Sequence, residues 1–247
     1  MKIVSFAINL YQIKTSIFKM KLFLSCEHGG NNVPPNYMDL FKDAGEMLNT
    51  HRGFDKGALP LFKILAELEE IEFSIYSETT RLLVDLNRSL FRPTLFSEFT
   101  KGLDENRRKE ILKHYYFPYR NAFHEQITKV INGGDSVFHL SIHAFTPEID
   151  GIVRNADIGL LFDPAHGIEK KVAVVWRRIL QEIFPSLVIR FNYPFMGKPD
   201  GHVAPLRREF GRKYIGFEFE LNSKYAGNQE IYNGIVISFN KLIKIIR

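Results

Sequence analysis

Several short runs in this chain are apolar almost throughout and stop abruptly at polar, ionisable residues. Leu22-Phe23-Leu24 breaks into Glu27-His28-Gly29-Gly30-Asn31-Asn32 and two prolines, residues 81–86 lead into Asn87-Arg88, and residues 136–142 end at His143. A strand that is apolar on both faces must be covered on both, as in a parallel sheet held between helix layers. Helical spacing of apolar residues over 58–70, 104–131, 166–183 and from Gln229 onward supplies those layers, with Pro118 expected to kink or divide the second. Residues 72–76, 158–162, 186–191 and 214–221 read as further strands. Residues 192–212, rich in Gly, Pro and charge, read as a long functional loop. The expected fold is α/β: a single domain of three αβα layers around a mostly parallel central sheet.

In open α/β sheets the ligand lies beyond the carboxyl ends of the strands. His28, Asn87-Arg88 and His143 each follow a strand candidate, so topology alone predicts that they converge. Two histidines and a carboxylate suit a catalytic zinc ion, which takes three protein ligands and keeps a position for water whose pKa falls to about 7. The alternative for His143 is a strand-end histidine with satisfied hydrogen bonds. Ser141 and His143 alternate and therefore share a face. Glu218 and Glu220 also share a face of a mostly apolar strand, which is costly unless they are paired, protonated or solvated. One suits a general base that delivers its proton to a leaving nitrogen, and the other a supporting partner. On an edge strand they would be only a polar face.

Arg88 offers a planar charged fork for a carboxylate, with Asn87 beside it and Arg81 as a weaker candidate. All three can instead brace loops through acids such as Asp85. Asp55 precedes the helical pattern at 58–70, where the helix dipole favours a carboxylate. The glycines after His28 permit a sharp turn and close approach of another molecule. Cys26 invites a nucleophile–base reading with His28, although a cysteine in an apolar strand is more often inert core. The chain has no G-x-S-x-G elbow, P-loop or dinucleotide fingerprint.

At 247 residues the chain has room for one sizeable core. A net charge of +5 is mild and scattered and fits attraction of an anionic substrate as well as it fits nucleic acid; the partner expected is a small carboxylate-bearing substrate, with no nucleic acid and no membrane. The single cysteine excludes an intramolecular disulfide and fits a reducing, cytoplasmic setting. No run approaches the roughly 18 apolar residues of a membrane helix. Residues 1–19 are broken by Asn9, Gln12 and Lys14 and carry no cleavage site. They read as a peripheral extension of a catalytic domain at 20–247, so a truncation starting at Met20 is expected to fold.

Together EHGGNNVP, HRGFDKGA, TRLLVDLNRS, SIHAF and the late E-x-E strand before Tyr225 resemble the N-formylglutamate amidohydrolase family, a relative of the zinc carboxypeptidases and aspartoacylases. The resemblance runs from about residue 21 to about residue 230. It implies a zinc carboxypeptidase-like fold with a mixed sheet, one bound Zn2+, and hydrolysis of the amide of an N-acyl amino acid such as N-formylglutamate. It further implies His28 and His143 as metal ligands, Asn87 and Arg88 as contacts to a substrate carboxylate, and Glu220 as the catalytic carboxylate. In one respect the chain departs from the carboxypeptidase pattern. The ligand glutamate expected three residues after the first histidine is Asn31, and an amide is a poor zinc ligand. Asp55, in its D-x-G-A setting, is the expected substitute, ahead of Glu27, which on a strand faces away from His28. The alternatives are a carboxypeptidase-like peptidase acting on a peptide or cell-wall fragment, and a basic anion-binding domain without metal. The aromatic helix around 115–123, and the loop at 192–212 with His202, Arg207, Arg208 and Arg212, are candidate pocket walls.

Overall fold

The computed structural model describes residues 19–247, so the expectation of a peripheral extension at 1–19 lies, Lys19 apart, outside the described residues. Its strands are β1 (Met20–Cys26), β2 (Ile71–Tyr76), β3 (Ser136–Phe145), β4 (Glu148–Ile149), β5 (Ile152–Val153), β6 (Ile158–Leu161), β7 (Ile189–Phe191) and β8 (Tyr214–Asn222). Six of them form one sheet in the order β2-β1-β3-β8-β6-β7, while β4 and β5 make a separate hairpin. All neighbours in the sheet are parallel except β6 and β8, so it is mixed and mostly parallel, as expected. β3 and β8 are buried along their whole length, whereas β2, at one edge, has no buried residue and alternates half-buried with exposed.

The principal helices are α1 (Ala58–Ala66), α2 (Glu105–Ile111), α3 (Phe117–Asn132), α4 (Gly167–Ile183), α5 (Val203–Phe210) and α6 (Gln229–Ile246). α1, α4 and α6 close one face over Leu22, Leu24, Phe138, Phe217 and Phe219, with Trp176 and Phe239 among the residues packed there. α3 and α5 close the other over Phe23, Val137 and Tyr214. This division follows the strand pleat, which sends successive side chains to opposite faces. Phe239 is fully buried, its ring 5.7 Å from Trp176 and 6.2 Å from Phe138. Phe239→Ala is therefore expected to cost about 3–5 kcal/mol, measured as a lower denaturation midpoint in urea.

Three expectations change. Residues 81–86 are not a strand: Leu83 N–H bonds to Thr80 and Arg88 N–H to Asp85, both turn contacts, while Asp85 N–H bonds to Leu95 in the loop that follows. Their apolar side chains Leu82, Leu83, Val84 and Leu86 instead fill a second core with Tyr37, Phe41 and Tyr116. Residues 192–212 are not all loop, because α5 lies within them. Pro118, as expected, stands where its helical run is divided: it sits at the start of α3, after a π-helical turn at Leu112–Tyr116 that separates α2 from α3. The glycines after His28 are also closed to other molecules: a Cβ on Gly30 would lie 2.5 Å from the backbone oxygen of Glu78. The close approach there is made by the chain itself.

Candidate active site

Register aligns the polar ends of the central strands. Parallel pairing sets Ser141 beside Glu218 and His143 beside Glu220, and β1 delivers Glu27 and His28 next to them. The segment between β1 and α1 folds back so that Asp55 N–H bonds to the His28 carbonyl at 2.9 Å. All of these except Glu27 and Ser141 line one open cleft of about 800 Å³, together with Arg81, Asp85, Asn87 and Arg88.

Three buried side chains converge there. His143 Nδ1 lies 2.9 Å and His28 Nδ1 3.4 Å from Asp55 Oδ2. Each imidazole is held from behind. His28 Nε2 donates to Asp85 Oδ1 at 2.7 Å. His143 Nε2 lies 2.9 Å from Ser141 Oγ, which donates to Glu27 Oε2 at 2.6 Å. A carboxylate behind the outer nitrogen fixes the tautomer, leaving the inner lone pair to face the centre. His28 Nδ1 has no hydrogen-bond partner although it is buried. Two nitrogen donors and a carboxylate with one orphaned buried nitrogen form a group that could hold a metal ion.

The electrostatics follow the same plan. Burial works against a charged His143, but Asp55 and Glu27 on its two sides push its pKa well above the imidazole value. Burial likewise opposes ionisation of Asp55, yet His28 and His143 hold it low. Asp85 is held well below the carboxylate range against burial by Arg81 and His28. Glu218 and Glu220 have no such partners. Burial raises them to about 7 and about 8, and each keeps one buried oxygen without a hydrogen bond.

Other expected site residues take more specific places. Arg81 is already committed, at 2.7 Å to Asp85 and 3.3 Å to Asp55, so it braces the histidine-bearing acids. Arg88 donates only to the Asn87 carbonyl and has no carboxylate partner among the described residues. Asn87 is held by the His202 N–H on its oxygen, and its nitrogen lies 3.3 Å from His143 Nε2. Asn31 bonds to Leu48 and Asn49, away from the cluster. Cys26 is buried among α1 and its neighbours; burial pushes its thiol well above the ordinary value, so it is core.

The arrangement is one of buried donors, raised carboxylates and an unpaired guanidinium at strand ends, a layout suited to hydrolysis of a small anionic amide. The model of the N-formylglutamate amidohydrolase family matches residues 20–226. The chain belongs to this family. It is a hydrolase acting on an amide bond. A solved gene product of Agrobacterium tumefaciens is similar at 24% identity and TM-score 0.73, covering 96% of this chain and 94% of that one. An N-formylglutamate amidohydrolase of Ralstonia eutropha is similar at 14% identity and TM-score 0.66, covering 93% and 95%. These two likenesses concern the fold. No curated protein matched by sequence. No helix among the described residues is long and apolar enough to cross a membrane.

Among the residues lining the cleft, sequence reasoning singled out none of His51, Lys101 or Arg154, and it reached Phe195 and Met196 only as part of the 192–212 loop. Their segments carry no strand-end signal that would have singled them out. Glu27 was weighed only as a ligand, whereas it joins Ser141, Tyr119 and His202 behind His143. The aromatic helix at 115–123 does not wall the cleft: Tyr116, Tyr119 and Phe123 are buried in the cores behind it. Arg207, expected at an anionic substrate, is buried and paired to Glu169 at 2.8 Å.

Proposed function

We propose that this chain is a zinc-dependent amidohydrolase that cleaves the amide of an N-acyl amino acid such as N-formylglutamate. The observation that carries this reading is the convergence of His28 Nδ1 and His143 Nδ1 on Asp55 Oδ2, each imidazole backed by a carboxylate system. His28, Asp55 and His143 would hold one Zn2+. When bound, such an ion polarises a carbonyl and lowers the pKa of water towards about 7. The hydrolysis adds the water oxygen to the acyl carbon and breaks the C–N bond. Glu220, raised to about 8 by burial, would in its ionised form accept the water proton and return it to the departing nitrogen. Glu218 lies on the same face of β8 and supports it through their shared field. Arg88 takes the substrate carboxylate, with Asn87 fixed beside it by the His202 N–H. Arg81 holds Asp55 and Asp85 ionised. The domain proposed for this work is 20–247.

Binding an ion at Nδ1 must expel the extra proton that Asp55 and Glu27 stabilise on His143. Apparent zinc affinity is therefore expected to rise with pH through and above the neutral range, measured by competition with a chelator. Asp85→Asn removes the charge behind His28 and is expected to weaken zinc binding roughly 10–100-fold. The reading itself is tested by assaying N-formylglutamate hydrolysis on chelated protein before and after zinc is restored. Restored turnover supports it; equal turnover in both samples sinks it.

A further inference from the structure

Beside the catalytic cluster the cleft continues along an apolar wall. Phe96 and Ile149 line it, with Phe195 and Met196 from the segment after β7. Phe195 and Met196 are 47% and 55% exposed, a large apolar surface to leave in water without use. The chain directly after them is held at two points. On one side the Gly197 N–H bonds to Asn192 Oδ1 at 3.1 Å and its carbonyl accepts from Arg207 Nη1 at 3.0 Å, while Arg207 itself is anchored on buried Glu169. On the other, Gly201 is pressed against the site: a Cβ there would lie 2.7 Å from Glu218 Oε1 and 2.8 Å from Asn87 Oδ1. From across the mouth, Arg154 places its guanidinium 5.2 Å from the Phe195 ring centroid. The wall is thus preformed, and it lines the same cleft as Glu218 and Glu220.

The size of the cleft points the same way. About 800 Å³ falls in the upper part of the range for drug-sized ligands, roughly 300–1,000 Å³. A formylated amino acid would occupy its inner end and leave the apolar wall wet. With Arg88 proposed to take the amino-acid carboxylate, the apolar lining is left for the acyl side of the amide.

We infer that the acyl group of this enzyme's substrate is bulky and apolar, an aryl or medium-chain acyl group packed on Phe195 and Met196 beneath Arg154. The inference rests on the amidohydrolase reading above and extends it to the substrate class. Hydrolysis then releases a free amino acid and an aryl or alkyl carboxylic acid, with one water consumed and no other reactant.

The test is a series on zinc-loaded full-length protein in which only the acyl group changes: N-formyl-, N-acetyl-, N-hexanoyl- and N-benzoyl-glutamate. kcat/KM is expected to rise at least about tenfold from formyl to hexanoyl or benzoyl, as burial of a few methylenes provides. In the double variant Phe195→Ala, Met196→Ala the ratio of benzoyl to formyl kcat/KM is expected to fall about tenfold. Both side chains are well exposed, so folding is not at stake. A preference for formyl or acetyl, or a ratio unmoved by the double variant, overturns the inference and leaves the amidohydrolase reading standing. Turnover of none of the four overturns both.

Discussion

Replacing Glu220 with Gln is expected to lower kcat by about 10²–10⁴-fold while making the metal-free protein more stable at alkaline pH. The side chain sits buried on β8 with an oxygen that finds no donor, and burial raises its pKa from 4.5 to about 8. In the folded chain it therefore keeps its proton across a window in which the unfolded chain has already lost it. The folded state binds more protons there, so stability falls as pH rises from about 4.5 to about 8 and levels off above. Gln never ionises and removes that penalty. The variant's Tm should match wild type near pH 4.5 and exceed it by several degrees at pH 8.5, at roughly 2–4 °C per kcal/mol for a chain of this size. An unchanged Tm difference across that range, or unimpaired kcat, would remove Glu220 from the proposed role. Glu218→Gln is expected to show the same direction in stability, with a smaller loss of kcat.

The second large effect is at His143. His143→Ala deletes one of two nitrogen donors and leaves Asp55 and Glu27, both buried, without the cation between them. Zinc retention and amide turnover are expected to fall together by at least about 10³-fold. The variant is also expected to lose about 3–5 kcal/mol, because an isolated buried carboxylate costs far more than a paired one. His143→Gln keeps a polar group of similar length and separates the two effects: it should recover part of the stability and none of the metal. Zinc bound at one equivalent by the Gln variant would contradict the assignment of this histidine.

Much of this site was legible because it is built on strand ends. β1 ends at Cys26 just before His28 and β3 carries His143 near its carboxyl end, and the parallel-sheet rule brings such ends together. The same reasoning placed Glu218 and Glu220 on one face of β8. It could not decide what stands around them, because that depends on contacts distant in sequence. Asp55 is brought to His28 by a backbone bond to the histidine's own carbonyl, which sets its carboxylate 3.4 Å from His28 Nδ1. Asp85, read as a brace for arginine, also turns out to orient His28, since residues 81–86 coil around the cleft rather than join the sheet. Apolarity alone did not distinguish that buried coil from a strand: Leu82, Leu83 and Val84 are as buried as a strand would be. Glu27 shows the opposite case. It lies in the turn just after β1 rather than on the strand, and from there its carboxylate meets His143 and Ser141 on the neighbouring strand.

The wall carrying Phe195 and Met196 was hidden for a related reason. Its segment reads as loop, and its rigidity comes from Arg207 and Glu169, an ion pair between α5 and α4 that no local pattern announces. Loops held in this way are where binding specificity is placed on a fixed scaffold.

The account turns on a cation at His28, Asp55 and His143. The most direct measurement is a titration of chelated wild-type protein with Zn2+, following bound metal and N-acylglutamate hydrolysis in the same samples. Rate and bound zinc should rise together and break at one equivalent. Hydrolysis that proceeds at full rate before zinc is added, or zinc that binds without any gain in rate, would contradict it.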